Sequence, residues 1–307
     1  MNISPNILLV LAPLFWSLNF LIGKDIAGVI PSGAMTLLRW LITFIIILPF
    51  YWKQLAQNRK LFLTHWRLIL ILGLTGYFLN SAGTFLAVSY TTAINAAFIA
   101  SLNPVVFALI SFIFLKERIS KMQILGIITS LVGVLWIIFK GNIAYILSLK
   151  INIGDGFMLI AVLSWAIYSN VLKNKGTIFP SNTLFPAMVL GGIAVSLPYF
   201  IGEALYIGGW WQNLEPRYYI SVLAVGIFPS LLAFYCWNTA LQAVTSNHAA
   251  IFLNLIPVFT TILSILILGE QFVFYHVIGG LLIFSGVVMV TNDIFLTKML
   301  KESFITN

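Results

Sequence analysis

Arg39 is the one cation that lies well inside an apolar run of the sequence, TLLRWLITFIIILPF. A guanidinium among apolar side chains must face water or meet a partner, because taking its charge out of water is costly. Two roles are open. The side chain could hold backbone carbonyls at a broken helix or pair with Asp25. Alternatively, its planar fork could bind the carboxylate or phosphate of a substrate.

A second group of polar side chains lies at similar depth in the other apolar runs. Pairing between helices would satisfy each of them, since polar groups in an apolar medium need hydrogen-bond partners. Their shared depth equally fits one polar cavity to which several helices contribute. The group consists of Asn19, Asn80, Asn103, Tyr168 and Asn254.

Three tryptophans, Trp16, Trp165 and Trp237, also lie inside apolar runs. Tryptophan is commonest in the belts at the membrane interfaces, so these positions are unusual. Helix packing would explain them. An aromatic face in a polar cavity would instead stack on a flat or cationic ligand.

The acidic residues and histidines offer no catalytic constellation. All eight carboxylates fall at predicted helix ends or in loops, so none stands where a proton or cation relay is usually placed. His65, His248 and His276 lack metal-ligand spacing with a cysteine or carboxylate, and the sequence has no Gly-rich phosphate loop. We therefore expect neither an enzyme nor a bound metal or cofactor. Coupling would come from a helix-end carboxylate or from the charge of the substrate.

The composition indicates which elements position these residues. Of 307 residues, 61% are hydrophobic and 8% are charged, against roughly 45–50% and about 25% in soluble domains. The chain is therefore predicted to be an all-α, multi-pass membrane protein. Its net charge of +8 comes from Lys and Arg between apolar runs, where they act as orientation signals, so no nucleic-acid partner is expected. The single Cys236 rules out a disulfide within the chain.

Ten apolar segments satisfy the requirement of about 20 residues for a membrane-crossing helix. The first lacks a basic leader and a small-residue cleavage site, so it is predicted to be a retained helix. The ten are predicted near residues 6–27, 32–52, 67–88, 92–115, 121–139, 155–173, 183–203, 217–240, 245–268 and 273–292.

One pattern occurs twice in the chain. AAFIASLNPVVFALISFIFLKE at Ala96–Glu117 returns as AAIFLNLIPVFTTILSILILGE at Ala249–Glu270, with its Ala-Ala, Leu, Pro-Val and Glu each 153 positions later. The pattern predicts two repeats of five helices, residues 1–140 and 154–293, followed by a cytoplasmic tail at 294–307.

The loop charges predict the orientation of the two repeats, because Lys and Arg favour the cytoplasmic side. With both termini inside, the inside segments hold eleven such residues and the outside loops hold four. Five helices are an odd number, so the second repeat must enter the membrane inverted. Inverted repeats are typical of secondary transporters, whose substrate site lies near the midplane where the repeats meet. The eleven are Lys53, Arg59, Lys60, Arg67, Lys116, Arg118, Lys121, Lys173, Lys175, Lys298 and Lys301, and the four are Lys24, Lys140, Lys150 and Arg217.

The repeated prolines and glutamates acquire predicted roles from this inversion. Pro104 and Pro257 lack a backbone N–H, which leaves a helix carbonyl without its usual donor. That carbonyl could face a ligand, or the proline could be only a packing kink. We predict that both prolines act as hinges. Glu117 and Glu270 would mark opposite membrane faces, where each is predicted to hold one gate.

Two pairs of glycines also recur, Gly126 and Gly133 in helix 5 and Gly279 and Gly286 in helix 10. Members of a pair are seven residues apart, on one helix face, where a missing side chain lets a neighbouring helix come close. Packing within the chain is the favoured interpretation, and a dimer seam is the alternative.

The chain resembles the EamA-type transporters of the drug/metabolite transporter superfamily over residues 7–292. Six pieces carry the resemblance in order: FWSLNFLIGK, LLRW, LNPVVFALISFIFLKERIS, GDGFMLIAVLSWAIYS, FYCWNTAL and LIPVFTTILSILILGE. Lys116 departs from strict repetition, since Gly269 stands at its counterpart. The resemblance implies a central cavity, alternating access and a cargo of amino acids or other small metabolites, more often exported than imported. It also implies that the residues nearest the pathway are Trp16, Asn19, Arg39, Asn103, Trp165, Tyr168, Asn238 and Asn254.

The sequence thus predicts a secondary active or facilitative transporter of the inner (plasma) membrane that exports a small polar metabolite, such as an amino acid. The alternatives are an importer of a nucleoside or of a metabolite like S-adenosylmethionine, a passive channel, and a membrane-embedded lipid-modifying enzyme. Expected partners are the metabolite, membrane lipids and a proton or exchanged substrate. We expect a monomer, with a dimer as the alternative.

Overall fold

The computed structural model describes residues 3–26, 28–90, 96, 99–116, 119–142, 152–212, 214–268 and 273–305. Within these ranges the side chains of residues 20, 24, 25, 115, 181, 182, 268 and 293–305 are not described. The predicted gate residues Glu117 and Glu270 lie outside the described residues.

Ten apolar helical segments account for most of the described chain, which contains no strand. Nine of them are long and apolar enough to cross a membrane, and the described part of α4 is shorter. A short helix, Arg59–Thr64, connects α2 to α3. The segments are α1 (Pro5–Ile26), α2 (Ser32–Gln57), α3 (Trp66–Tyr90), α4 (Asn103–Leu115), α5 (Lys121–Ile138), α6 (Ile153–Lys175), α7 (Ser181–Ile207), α8 (Pro216–Ala243), α9 (Ser246–Ile267) and α10 (Phe274–Ile305).

The sequence prediction of an all-α membrane protein with ten segments in two repeats is confirmed, and several segment ends are corrected. Helix α2 continues to Gln57, beyond the predicted end at 52. Helix α10 continues to Ile305, because neither glycine nor proline interrupts the sequence after residue 292. The backbone of the predicted tail is therefore helical through most of its length.

The two repeats pack on each other with a pseudo-twofold relation. Helix α2 packs on α7, and α5 packs on α10, so each of these pairs joins equivalent helices. Other contacts between the repeats occur in exchanged pairs: α1 packs on α8 and α9, and α6 packs on α3 and α4. Helices α1 and α6 therefore lie at the centre, between the halves.

The recurrent glycines form the seam between α5 and α10. A Cβ on Gly126 would lie 2.8 Å from the carbonyl oxygen of Gly286, and a Cβ on Gly133 would lie 2.7 Å from that of Gly279. These crossed pairs are equivalent under the repeat. The backbones approach this closely because no side chain separates them, so the packing interpretation of the glycines is confirmed.

Helices α3 and α8 each contain a π-helical turn, at Gly73–Leu79 and Gly226–Leu232. The two turns are 153 positions apart, like the repeated pattern. Each begins with a glycine in close contact with the opposite repeat: a Cβ on Gly73 would lie 2.4 Å from the backbone of Gly191, and one on Gly226 would lie 2.5 Å from Ile42. Such interruptions of the α-helical ladder are frequent at functional sites, and neither was predicted from the sequence.

The repeated prolines follow breaks in α4 and α9. A turn at residues 101–102 precedes Asn103 and Pro104, which stand in the first helical turn of α4. In the second repeat, a 3-10 turn at Phe252–Asn254 precedes Pro257. The predicted membrane segment over 245–268 is present as Ser246–Ile267 and is interrupted before Pro257, because proline favours the start of a helix over its interior.

Helix α7 caps the N-terminus of α2. Glu203 accepts hydrogen bonds from the backbone N–H groups of Gly33 and Ala34, at 2.8 and 3.0 Å, and from the hydroxyl of Ser32, at 3.0 Å. A carboxylate at this position satisfies otherwise unpaired donors and complements the helix dipole. The contact fixes the N-terminus of α2 to α7.

Candidate functional site

A small cavity lies at the centre of the bundle, between the two repeats. Its described walls come from α1, α3, α4, α6 and α9 and enclose about 90 Å³. Five of the residues predicted for the substrate site line it together. They are Trp16, Asn19, Asn80, Asn103 and Trp165.

Asn103 connects this cavity to the break in α4. Its side-chain nitrogen donates to the carbonyl oxygen of Ala100 at 2.8 Å. In an uninterrupted helix that carbonyl would accept from residue 104, but Pro104 has no N–H to donate. The asparagine thus satisfies the carbonyl that the proline frees, and its side-chain oxygen is buried with no hydrogen-bond partner among the described residues.

A second cavity, of about 200 Å³, adjoins the first between α4, α5 and α9. Ala100, Asn103 and two α9 side chains, Leu253 and Ile256, line both cavities. Asn254 and Pro257 line the second cavity. Asn103 and Asn254, each close to one of the repeated prolines, therefore both border this region. Asn254 donates to the hydroxyl of Ser130 at 2.8 Å, which fixes its amide against α5.

Aromatic rings close the central cavity on one side. Trp16 and Trp165 meet edge to face with ring centroids 5.2 Å apart, and Trp165 stacks on Tyr168 at 5.1 Å. Trp237, the third predicted tryptophan, lies 5.5 Å from both Trp16 and Trp165. Phe234 packs among them. Edge-to-face and offset contacts of this kind are the favoured ones for aromatic rings.

Beyond the rings lies the largest described cavity, of about 440 Å³, which is bordered by α2, α6, α7 and α8. Asn238 lines it and accepts a hydrogen bond from the Tyr168 hydroxyl at 2.7 Å. The amide of Asn238 also reaches the Tyr77 hydroxyl, at 3.5 Å. The Tyr168 and Asn238 side chains therefore stand between the largest cavity and the aromatic wall of the central one.

Arg39 does not line any of these cavities. Its side chain is buried, with 4% exposed, and it donates to the Ser230 hydroxyl at 2.7 Å and to the carbonyl of Pro229 at 3.3 Å. The Ser230 hydroxyl in turn donates to the carbonyl of Val225 at 2.7 Å, which Pro229 leaves without its usual donor. The contacts match one of the two roles left open by the sequence, in which the guanidinium supports a broken helix.

The contacts of Arg39 are linked to the central cavity through Trp16 of α1. Trp16, which lines the cavity, donates from its indole nitrogen to the carbonyl of Pro229 at 3.1 Å. That carbonyl therefore accepts from both Trp16 and Arg39. The π-helical turn of α8 is thus held to α1 and α2 at one point.

Eight contributors were not predicted from the sequence: Thr84, Ala100, Met158, Leu253 and Ile256 in the cavity wall, and Tyr77, Ser230 and Phe234 around it. For two of them, Tyr77 and Ser230, the sequence contains a repeat signal: they lie in the π-helical turns that begin at Gly73 and Gly226, which are 153 positions apart. Within the described part of the chain, no group of three His, Cys, Asp or Glu side chains could hold a metal ion. None of the described residues that line the central cavity is charged.

These features define the class of protein: a multi-pass membrane protein with two five-helix repeats around a polar central cavity. The sequence matches the EamA-like transporter family twice, over residues 3–139 and 152–292. The chain therefore belongs to the EamA-like transporter family.

Individual relatives agree with this assignment. The uncharacterized transporter YyaM of Bacillus subtilis strain 168 is 30% identical over 75% of this chain and 74% of its own length. An uncharacterized transporter of Archaeoglobus fulgidus is 29% identical over 95% of this chain and 98% of its own length. A solved crystal structure with 19% sequence identity matches with a TM-score of 0.76 over 96% of this chain and 98% of that one, which shows the shared fold.

Proposed function

We propose that this membrane transporter is a secondary active or facilitative exporter of a small polar metabolite, such as an amino acid, working by alternating access. The observation that carries the proposal is the central cavity at the repeat interface, bordered by the two breaks before Pro104 and Pro257. Helices broken near the midplane are the usual framework of a substrate site in carriers with repeats.

The predicted site residues take distinct positions in this proposal. Those in the central wall contact the substrate, Asn254 contacts it from the adjoining cavity, and Tyr168 with Asn238 separates it from the large cavity. Pro104 and Pro257 are the hinges about which α4 and α9 move. Arg39 acts as a positioning residue through Ser230 and Pro229.

Counterflow in proteoliposomes tests the proposal. Vesicles loaded with unlabelled substrate should accumulate labelled substrate transiently, and the initial rate should saturate with concentration. Candidate substrates are chosen by a thermal-shift screen of amino acids, nucleosides, polyamines and carboxylates, since a ligand of the native state raises apparent stability. Non-saturating leakage would favour a channel, and chemical conversion of a lipid would favour an enzyme.

The two gates belong to the same proposal, with both termini on the cytoplasmic side. We expect Glu117→Gln to change access from one membrane face and Glu270→Gln from the other, because the repeats are inverted. Labelling of a cysteine placed in the central cavity at Thr84 measures both. If labelling from both faces is unchanged in both variants, the two glutamates are helix-end residues without a gating role.

A further inference from the structure

A further cavity lies apart from the central one, between α3, α4 and α6. It encloses about 310 Å³, at the lower end of the range of roughly 300–1,000 Å³ that small-molecule sites occupy. Helices α3 and α4 each pack on α6 more extensively than on one another. A gap therefore remains between α3 and α4 beside α6, and we call this space the lateral cavity.

The wall of the lateral cavity is almost entirely apolar. It extends from a buried floor, where Ile110 is 9% exposed, to an open rim, where Ile71 and Phe114 are 46% and 69% exposed. Water in such a space finds few polar partners, whereas an acyl chain of the surrounding bilayer makes apolar contacts along the whole wall. The apolar lining residues are Leu68, Ile71, Ile110, Phe114, Ile167 and Val171.

Two cations stand at one end of the lateral cavity. Lys175, the last residue of α6, lines it. Arg67 directly precedes Leu68 and lies four residues before Ile71, so it shares their face of α3. Both cationic side chains are exposed, and the Arg67 guanidinium lies 5.5 Å from the ring centroid of Trp66. An exposed tryptophan at a helix end is typical of the membrane interface, so the two cations are expected at the level of the lipid headgroups.

No carboxylate with a described side chain is placed to neutralise these two cations. Asp155 stands in the first turn of α6, at the opposite end of that helix from Lys175. Glu203 and Glu215 flank the connection between α7 and α8, at that same opposite end of the bundle. Within the described residues, neither Arg67 nor Lys175 forms an ion pair. Their charges are therefore left for an anion that is not part of the described chain.

We propose that the lateral cavity binds an anionic phospholipid, with one acyl chain along the apolar wall and the phosphate between Arg67 and Lys175. A guanidinium binds phosphate through two parallel hydrogen bonds, and basic pockets between transmembrane helices suit anionic headgroups. The exposed amide of Asn174, which also lines the cavity, can bond to the glycerol hydroxyls of phosphatidylglycerol. The site is separate from the central cavity, so the inference does not depend on what the protein transports.

The test is a competition between two lipids that differ only in the headgroup. The purified full chain in detergent receives equal amounts of phosphatidylglycerol and phosphatidylcholine with identical acyl chains, and native mass spectrometry measures the ratio of the bound lipids. We expect about thirtyfold preference for phosphatidylglycerol, because each of two cations near an anionic headgroup contributes about 1 kcal/mol. Equal binding of the two lipids would overturn the inference.

Glycerol 3-phosphate separates the lipid from a free phosphate, because it carries the charge without the acyl chains. A tenfold excess of it should leave phosphatidylglycerol bound. If it displaced the lipid, the site would be one for a soluble phosphate, and the inference would be wrong.

The charges are tested by the double variant Arg67→Gln, Lys175→Gln, which leaves the apolar wall intact. We expect its ratio of bound lipids to fall close to one. The matched control is Lys53→Gln with Arg59→Gln, since these residues are exposed at the same end of the bundle and do not line the cavity. The control should keep the full preference. An equal loss in both double variants would show a diffuse attraction to the basic end of the protein and contradict a site.

The apolar wall is tested by Val171→Phe, which places a phenyl ring in the lateral cavity and keeps both cations. We expect the affinity for phosphatidylglycerol, titrated by native mass spectrometry, to fall several-fold because the ring occupies the volume of the acyl chain. Ile160→Phe is the control, since Ile160 is 45% exposed on the same helix and does not line the cavity. Unchanged affinity in Val171→Phe would show that the lipid chain lies elsewhere and overturn the inference.

Discussion

Gly286→Leu is expected to prevent the protein from folding in the membrane. A Cβ at Gly286 would lie 2.4 Å from the carbonyl oxygen of Gly126 and 2.8 Å from the backbone nitrogen of Ser130. These are backbone atoms of a packed helix, so they cannot turn aside as a flexible side chain could. Overpacking a well-filled contact usually costs about 1–3 kcal/mol, and a leucine side chain would separate α5 from α10 along the seam.

The matched control is Gly280→Leu, on the same helix. A Cβ at Gly280 has no neighbour within 4 Å, so this variant should retain nearly the wild-type yield and melting temperature. The measurement is the fraction of monodisperse protein in size-exclusion chromatography, with the apparent melting temperature in detergent. Equal behaviour of the two variants would show that the glycine seam does not hold the halves together.

Arg39→Met is expected to lower transport at least about tenfold while leaving a folded protein that still binds its ligand. Removing the guanidinium frees the carbonyl of Pro229 from one of its two donors and leaves Ser230 bonded to Val225 alone. The π-helical turn of α8 then keeps its hydrogen bonds to Trp16 of α1 and to Thr43 of α2, which donates to the carbonyl of Gly226 at 2.9 Å, but it loses both contacts with Arg39. The variant should fold, because an arginine in a membrane helix costs about 2.5–3.5 kcal/mol on insertion scales.

The measurement compares flux in proteoliposomes with the ligand-induced thermal shift of the same preparation. A positioning residue loses flux and keeps the shift, whereas a substrate clamp loses both. Arg217→Met provides the control, because Arg217 is an arginine near Glu215 with more than half of its side chain exposed. Normal flux in Arg39→Met would remove the residue from the mechanism.

The repeats and the membrane class could be predicted from the sequence, because apolar length and the 153-position offset are properties of the chain itself. For the site, the sequence predicted only how deep each polar residue lies along its helix. Asn80 and Arg39 both lie inside apolar runs, yet Asn80 lines the cavity and Arg39 contacts the break in α8. Depth along a helix does not specify the direction in which a side chain points, and that direction depends on how the two halves pack.

The interruptions of the helices could also be predicted only in part. Pro104 and Pro257 marked two interruptions correctly, since a proline cannot donate within the helix. The π-helical turns in α3 and α8 had no comparable local signal, because Gly73 and Gly226 act through the backbone and side chains that cross them. Their positions depend on contacts between repeats, which local sequence patterns do not contain.

The most direct test of alternating access at the central cavity is side-specific labelling of one cysteine at Thr84. Cys236 is buried and is first replaced by serine, so that the new thiol is the only one. A membrane-impermeant maleimide is applied to right-side-out and to inverted vesicles, with and without a ligand found by thermal shift. We predict labelling from both faces and protection by the ligand in both orientations. Labelling from a single face, or labelling that the ligand leaves unchanged, would contradict a substrate site reached alternately from the two sides.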